Sequence, residues 1–306
     1  MLNRSTRLLI NITLSVSAIA LLGIAAARLQ SQSSRSILTR QTPPADHRIS
    51  YGKDPLQFGE LRLPKGEGPH PLAIILHGGC WLSEYGLSYM GHLSASLTEA
   101  GVATWSLEYR RVGNEGGGWP GTFQDVAQGT DYLRVLAKTY SLDLNRVVAV
   151  GHSAGGHLAL WLAARKQLPN NSPLYAADPI PLSGVIPLAA ITDLRKTGTA
   201  CDGTVGKLMG GSAKDFSDRY SQSSPIDLLP LGVKQTIIHG EVDNIVPLSM
   251  AKDYTEAAKQ KSEEVKLVVI EKAGHFELVD PQSAAWQKVK DEVLELLKVG
   301  EKPRDK

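Results

Sequence analysis

Ser153 stands in Gly151-His152-Ser153-Ala154-Gly155, directly after the apolar run 147–150 and directly before a helical pattern at 156–165. A serine hydroxyl attacks carbonyl carbon only when a base takes its proton, and a strand-turn-helix elbow is the context that thrusts such a serine outward. The flanking glycines fit a strained turn in which a Cβ would collide with neighbouring elements. Downstream, His239-Gly240-Glu241-Val242-Asp243 follows a strand ending at His239, and Ala273-Gly274-His275-Phe276 follows one ending near Ile270. Each sets a polar residue just past a strand's carboxyl end, the edge where open α/β sheets bind ligands, so Ser153, Asp243 and His275 converge there. Upstream, His77-Gly78-Gly79-Cys80-Trp81 begins where another apolar run stops, and the N–H of Gly79 or Cys80 would hold an oxyanion together with that of Ala154. The chemistry is acyl transfer: His275 deprotonates Ser153, Asp243 orients His275, and water releases the acyl group through the same base. Such a cycle calls for no metal and no organic cofactor.

The other candidates for these roles read as structural. His77 braces the oxyanion loop, His152 and His157 flank the elbow, and His239 lies inside a strand. Asp193, just past the run 185–190, is the alternative acid and otherwise an anchor for the insertion that follows it. Trp81 and Trp119, the latter in Gly116-Gly117-Gly118-Trp119-Pro120, are candidate walls for an acyl or aryl group, with packing of its own loop the equal alternative for Trp119.

The elements that must position these residues alternate. Short apolar runs at 72–76, 102–107, 147–150, 185–190, 235–239 and 265–270 read as buried strands. Between them Met90, Leu93 and Leu97 recur at helical spacing, and Phe123, Val126, Leu133 and Ala137 follow Thr122, with Asp125 completing a capping pattern. A last helix carries Trp286, Val289, Val293 and Leu297 on one stripe and is expected to stop at Gly300. The alternation predicts an α/β domain with a largely parallel sheet over 47–300. Two stretches, 166–181 and 193–230, break it and read as lids or binding loops.

With HGG, GHSAGG, HGEVD and AGH in this order, the chain from about His47 to the final helix resembles the α/β-hydrolase superfamily. Within it, HGGCW is similar to the HGGxW motif of arylformamidases and feruloyl- or acetyl-esterase-like enzymes, and Glu108-Tyr109-Arg110 resembles their strand-end YR. The HGGG of hormone-sensitive-lipase relatives is not present, and 47–63 reads as an antiparallel edge pair rather than a helical cap. The resemblance implies a mostly parallel twisted sheet flanked by helices, a small lid, and hydrolysis of short-chain or aryl carboxylic esters. It leaves open cleavage of an N-formyl aryl amine, peptide cleavage as in prolyl-oligopeptidase relatives, and an inert binding protein of the same fold.

Composition narrows the partners. Of 306 residues 42% are apolar, enough for a large core. Lys and Arg number 33 against 31 Asp and Glu, and Arg4 and Arg7 lie in the first 27 residues, so the body is neutral and gives no electrostatic reason for nucleic acid. A small-molecule ester is the expected partner. Residues 1–27 have a basic start, an uncharged stretch at 8–27 and an Ala-Ala-Ala end, the pattern of a signal peptide or an N-terminal anchor. Any membrane attachment is expected through 8–27 alone, with 28–46 a flexible tether, 301–306 a tail and the catalytic domain outside the cytoplasm. In that oxidising compartment Cys80 and Cys201 either bridge, pinning the insertion across the site, or remain two thiols.

Overall fold

A computed structural model describes residues 36–197, 201 and 203–298. The leader expected at 1–27, the tail at 301–306 and Gly300 lie outside the described residues. Strand β1 (His47–Ser50) pairs antiparallel with β2 (Phe58–Arg62), and β3 (His70–Leu76) opens the parallel part of the sheet. Then come α1 (Gly91–Glu99), β4 (Ala103–Leu107), α2 (Gly121–Asp131), the short α3 (Leu133–Leu136), β5 (Leu142–His152) and α4 (Ala154–Ala163). They are followed by β6 (Gly184–Leu188), α5 (Thr204–Met209), α6 (Ser217–Ser221), β7 (Lys234–Gly240), α7 (Leu248–Gln260), β8 (Val265–Ile270) and α8 (Trp286–Leu296). The sheet order is β1-β2-β4-β3-β5-β6-β7-β8. Every pair from β4 through β8 is parallel, and β2 joins β4 antiparallel.

Two apolar layers explain the strand composition. Leu72, Ile74 and Leu76 of β3, with Val147 and Ala149 of β5, enter one core with α2, α4 and α7. The intervening Ala73, Ile75, Val148 and Val150 enter the other, with Leu93 and Leu97 of α1 and Trp286, Val289 and Val293 of α8. Alternate side chains thus bury on opposite faces, which is why these strands read as unbroken apolar runs. Pro187 has no N–H to give, and the β6–β7 ladder passes from Val185↔Gln235 to Leu188↔Ile238 around it.

Three local expectations are corrected. Helix α2 begins at Gly121 with Pro120 at its N-cap, so Thr122 and Asp125 form no capping box. Thr122 Oγ1 donates to Arg110 O at 2.6 Å, and the buried Asp125 takes the Arg110 guanidinium in two bonds of 2.8 and 2.7 Å. A buried carboxylate is far better met by a cation than by a helix-end amide. Helix α8 ends at Leu296, before Gly300. Residues 36–46 are not the free tether their polar composition suggests: Ile37 in a 3₁₀ turn (Ser36–Leu38) is fully buried, and Arg40 pairs with Asp280 at 2.8 Å. One apolar pair, Ile37-Leu38, docks the segment, too short a signal to show a period.

Candidate active site

The elbow between β5 and α4 is built by exclusion. Ser153 lies at φ 57°, ψ −120°, outside the regions that L-residues favour. A Cβ on Gly151 would sit 2.0 Å from Gly155 O, and one on Gly155 would sit 2.2 Å from Leu76 O. Gly156 is also tightly packed, since a Cβ there would meet that of Ala190 at 2.6 Å. Ser153 N–H donates to Leu188 O at 2.8 Å, tying the strained turn, whose cost is about 1–3 kcal/mol, to β6.

The loops after β7 and β8 bring Asp243 and His275 together. His275 Nδ1–H donates to Asp243 Oδ2 at 2.7 Å, while Oδ1 accepts the N–H groups of Ile245 and Val246 at 2.8 and 2.9 Å. Burial raises the Asp243 pKa, but the His275 bond and charge and the two amides outweigh it and hold it below the ordinary value. With Nδ1 occupied, His275 Nε2 is the free nitrogen. His275 and Ser153 line one cavity of about 140 Å³. No direct Ser153–His275 hydrogen bond forms among the described residues; catalytic hydrogen bonds are often long in the absence of substrate. Asp193 is elsewhere: it accepts Arg195 N–H at 2.9 Å in a local turn at the start of the insertion.

Gly79, Cys80 and Trp81 follow one another at φ 101°, 50° and 55°. Among the described residues no acceptor takes the N–H of Gly79, Cys80 or Ala154. Gly78 closes the turn against the elbow, where a Cβ would fall 2.6 Å from His152 O. Beneath it, His77 is fully buried, and burial together with the Arg111 charge pushes its pKa down to about 3. With the ring neutral, Nδ1–H donates to Gly78 O at 2.8 Å and Nε2 accepts from Arg111 at 3.2 Å, with Glu108 Oε1 also 3.0 Å from Nε2. Glu108 balances Arg111 through a buried ion pair, and Tyr109 Oη donates to His77 O at 2.6 Å.

A second chain links the Gly78–Gly79 turn to His275, and sequence reasoning missed its middle member. Gly78 N–H donates to Tyr89 Oη at 2.6 Å, Tyr89 O–H donates to His152 Nδ1 at 2.9 Å, and His152 Nε2–H donates to His275 O at 3.0 Å. Burial and the nearby His275 hold His152 neutral and burial keeps Tyr89 protonated, so each donor has one direction. Tyr89 carried no signal of its own in the sequence, standing only next to the stripe that begins at Met90. His157 donates Nε2–H to Ser223 O at 2.9 Å and His239 to Val246 O at 2.9 Å, both structural as expected.

The two tryptophans do not wall this cavity. Trp81 is fully buried, edge-on to His157 at 5.1 Å, and Trp119 packs on Phe123 at 5.6 Å while its N–H bonds Leu208 O. The left-handed backbone at 79–81 leaves the Trp81 ring in the core, and Leu82, Tyr85, Phe276 and Ile245 line the cavity instead. Cys80 and Cys201 are bridged, Cα–Cα 5.2 Å, fastening the insertion beside the oxyanion turn. Hollows of about 550 Å³, at the amino ends of β7 and β8, and about 520 Å³, beside α2, hold no member of this constellation. Among the described residues no group of three or more His, Cys, Asp or Glu is placed to hold a metal ion.

The chain is 25% identical over 266 residues to an isoprenylcysteine alpha-carbonyl methylesterase of Arabidopsis thaliana, covering 81% of this chain and 61% of the relative. It is 25% identical over 253 residues to the esterase LipC of Mycobacterium tuberculosis, covering 76% and 60%. It therefore spans about three fifths of the length of these curated relatives. Among solved structures, a truncated carbohydrate esterase from gut microbiota superposes with a TM-score of 0.72 at 20% identity, covering 83% of this chain and 99% of the other. A thermophilic esterase from the Planctomycetes species Thermogutta terrifontis gives 0.70 at 20% identity, covering 87% and 99%. At that identity the likeness carries the fold, which is the mostly parallel α/β-hydrolase sheet. The BD-FAE family model matches residues 60–258, from β2 through most of α7, so the chain belongs to the BD-FAE family of α/β-hydrolases.

Proposed function

We propose that the protein hydrolyses carboxylic esters with short acyl groups through an acyl-enzyme on Ser153. The carrying observation is the 2.7 Å His275–Asp243 bond, which frees His275 Nε2 in a cavity it shares with Ser153. Ser153 Oγ bonds to the ester carbonyl carbon as its proton passes to His275 Nε2, and the carbonyl π pair moves onto oxygen, held by the N–H groups of Gly79, Cys80 and Ala154. Collapse breaks the bond to the alcohol, which leaves with the proton from His275. Water then repeats the sequence on the acyl-enzyme, giving the acid and restoring Ser153. Asp243 holds the imidazolium and fixes its tautomer throughout.

The esterase and methylesterase names of the relatives support ester cleavage. A small cavity of about 140 Å³ beside Ser153, with apolar side chains in its lining, supports a short acyl group. The Cys80–Cys201 bridge supports folding in an oxidising compartment, in keeping with the leader pattern at 1–27. The test is the initial rate on p-nitrophenyl acetate, butyrate and octanoate and on N-formylkynurenine, beside Ser153→Ala. Short-ester activity lost in the variant is expected. Hydrolysis of the formamide alone would move the reading to amide cleavage, and silence on all four with no fluorophosphonate labelling would overturn it.

A further inference from the structure

The turn at Ser36–Leu38 lies upstream of the residues that the family model matches, yet it reaches the reacting serine. Leu38 lines the same cavity as Ser153 and His275. The segment is held on both sides. Ile37 is fully buried, and Arg40 makes bonds of 2.8 and 2.9 Å to the two oxygens of Asp280, in the loop that carries His275. Thr42 Oγ1 donates to Ser88 O at 2.8 Å, next to Tyr89, and the buried Arg62 donates to Pro43 O at 2.8 Å. A side chain carried on so many contacts does not swing aside when an acyl chain enters, so it acts as a wall.

We infer that Leu38 sets the acyl-length limit of the site. The inference rests on the ester-hydrolase reading and deepens it: Leu38, with Leu82, Tyr85 and Phe276, gives the cavity apolar walls suited to a short alkyl chain, and the strap holds Leu38 in place as one of them. Apolar walls discriminate by about 10–200-fold per methylene that does or does not fit. Removing the isopropyl end of Leu38 therefore admits longer chains, and a larger side chain shortens the limit.

The test compares kcat/KM along p-nitrophenyl acetate, butyrate, hexanoate and octanoate for the full chain, Leu38→Ala, Leu38→Trp and Arg40→Ala. The octanoate-to-acetate ratio is expected to rise about tenfold or more in Leu38→Ala, to fall in Leu38→Trp, and to rise by less in Arg40→Ala, which frees the strap. Phosphonylation of Ser153 by fluorophosphonates bearing ethyl and octyl chains reads the same wall without ester turnover and is expected to shift in the same sense. Normal wild-type activity with an unmoved ratio in both leucine variants overturns the inference and spares the esterase reading. A ratio that moves only along a series of alkyl acetates overturns the acyl assignment. Enzyme inert to esters but with the phosphonylation ratio shifted keeps the wall and removes the ester reading, and inertness to every probe overturns both.

Discussion

Asp243 has three donors aimed at it, and this crowding decides what the residue does. Oδ1 is saturated by two backbone amides and Oδ2 faces His275, so the carboxylate cannot rotate away from the ring. Asp243→Asn keeps the shape but turns the imidazole to the wrong tautomer, and kcat is expected to drop by about 10⁴-fold with KM little changed, measured on p-nitrophenyl acetate. The same pairing links stability to acid. The folded pKa of Asp243 lies below its unfolded value, so its contribution is fully present above about pH 4 and is lost as pH falls through the folded value. Urea titrations below pH 4 are expected to show a shallower acid decline for Asp243→Asn than for the wild type; parallel declines would contradict this. Tyr89→Phe removes the acceptor of Gly78 N–H and the donor to His152 together. Since a displacement of about 1 Å at a reacting group costs about 10²-fold, kcat is expected to fall by 10–100-fold with KM unchanged, whereas a purely structural role would lower Tm and leave the kcat of the folded fraction intact.

At the scale of elements, what the sequence reveals depends on how local the cause is. The elbow, the HGG turn and the loops after β7 and β8 were legible because each is announced by glycines at the end of an apolar run, where backbone sterics leave no other residue. Tyr89 and Leu38 were not, since His152 and Ser153 are brought to them only by the tertiary fold, from the end of β5. Trp81 was misassigned for the same reason: its neighbours in sequence line the site, while its ring lies against His157 of α4. The insertion at 193–230 was legible only as an interruption. Its attachments are tertiary: the bridge from Cys80 to Cys201, Trp119 N–H to Leu208 O at 2.7 Å, and Trp161 Nε1–H to Gln222 O at 3.1 Å. The bridge closes a loop across a sequence separation of 121, for which about 2–4 kcal/mol is usual. Cys201→Ser, or reduction by dithiothreitol, is expected to lower Tm by about 4–16 °C in a domain of this size, and an unchanged Tm would show the insertion held without it.

Across the whole molecule, one sheet shared by two apolar layers makes the strand ends at its carboxyl edge a rigid platform, and the site draws on β3, β5, β7 and β8 at once. The strap at 36–46 adds a support from outside that platform, which moves the boundary of the folded unit upstream of the first strand. Composition placed that boundary near His47, because a stretch rich in Ser, Gln, Arg and Pro offers one buried apolar side chain, Ile37, and an ion pair whose partner, Asp280, is 240 residues away. Removing the strap uncovers the seat of Ile37, worth about 1.5–3 kcal/mol, and takes from the buried Arg62 its bond to Pro43 O. A chain beginning at His47 is therefore expected to unfold at lower urea than one beginning at Ser36, by about 1.5–3 kcal/mol at equal slope. Equal midpoints would place the strap outside the cooperative unit, whereas a lower midpoint together with longer-acyl activity would make the same few residues both a staple of the fold and a wall of the site.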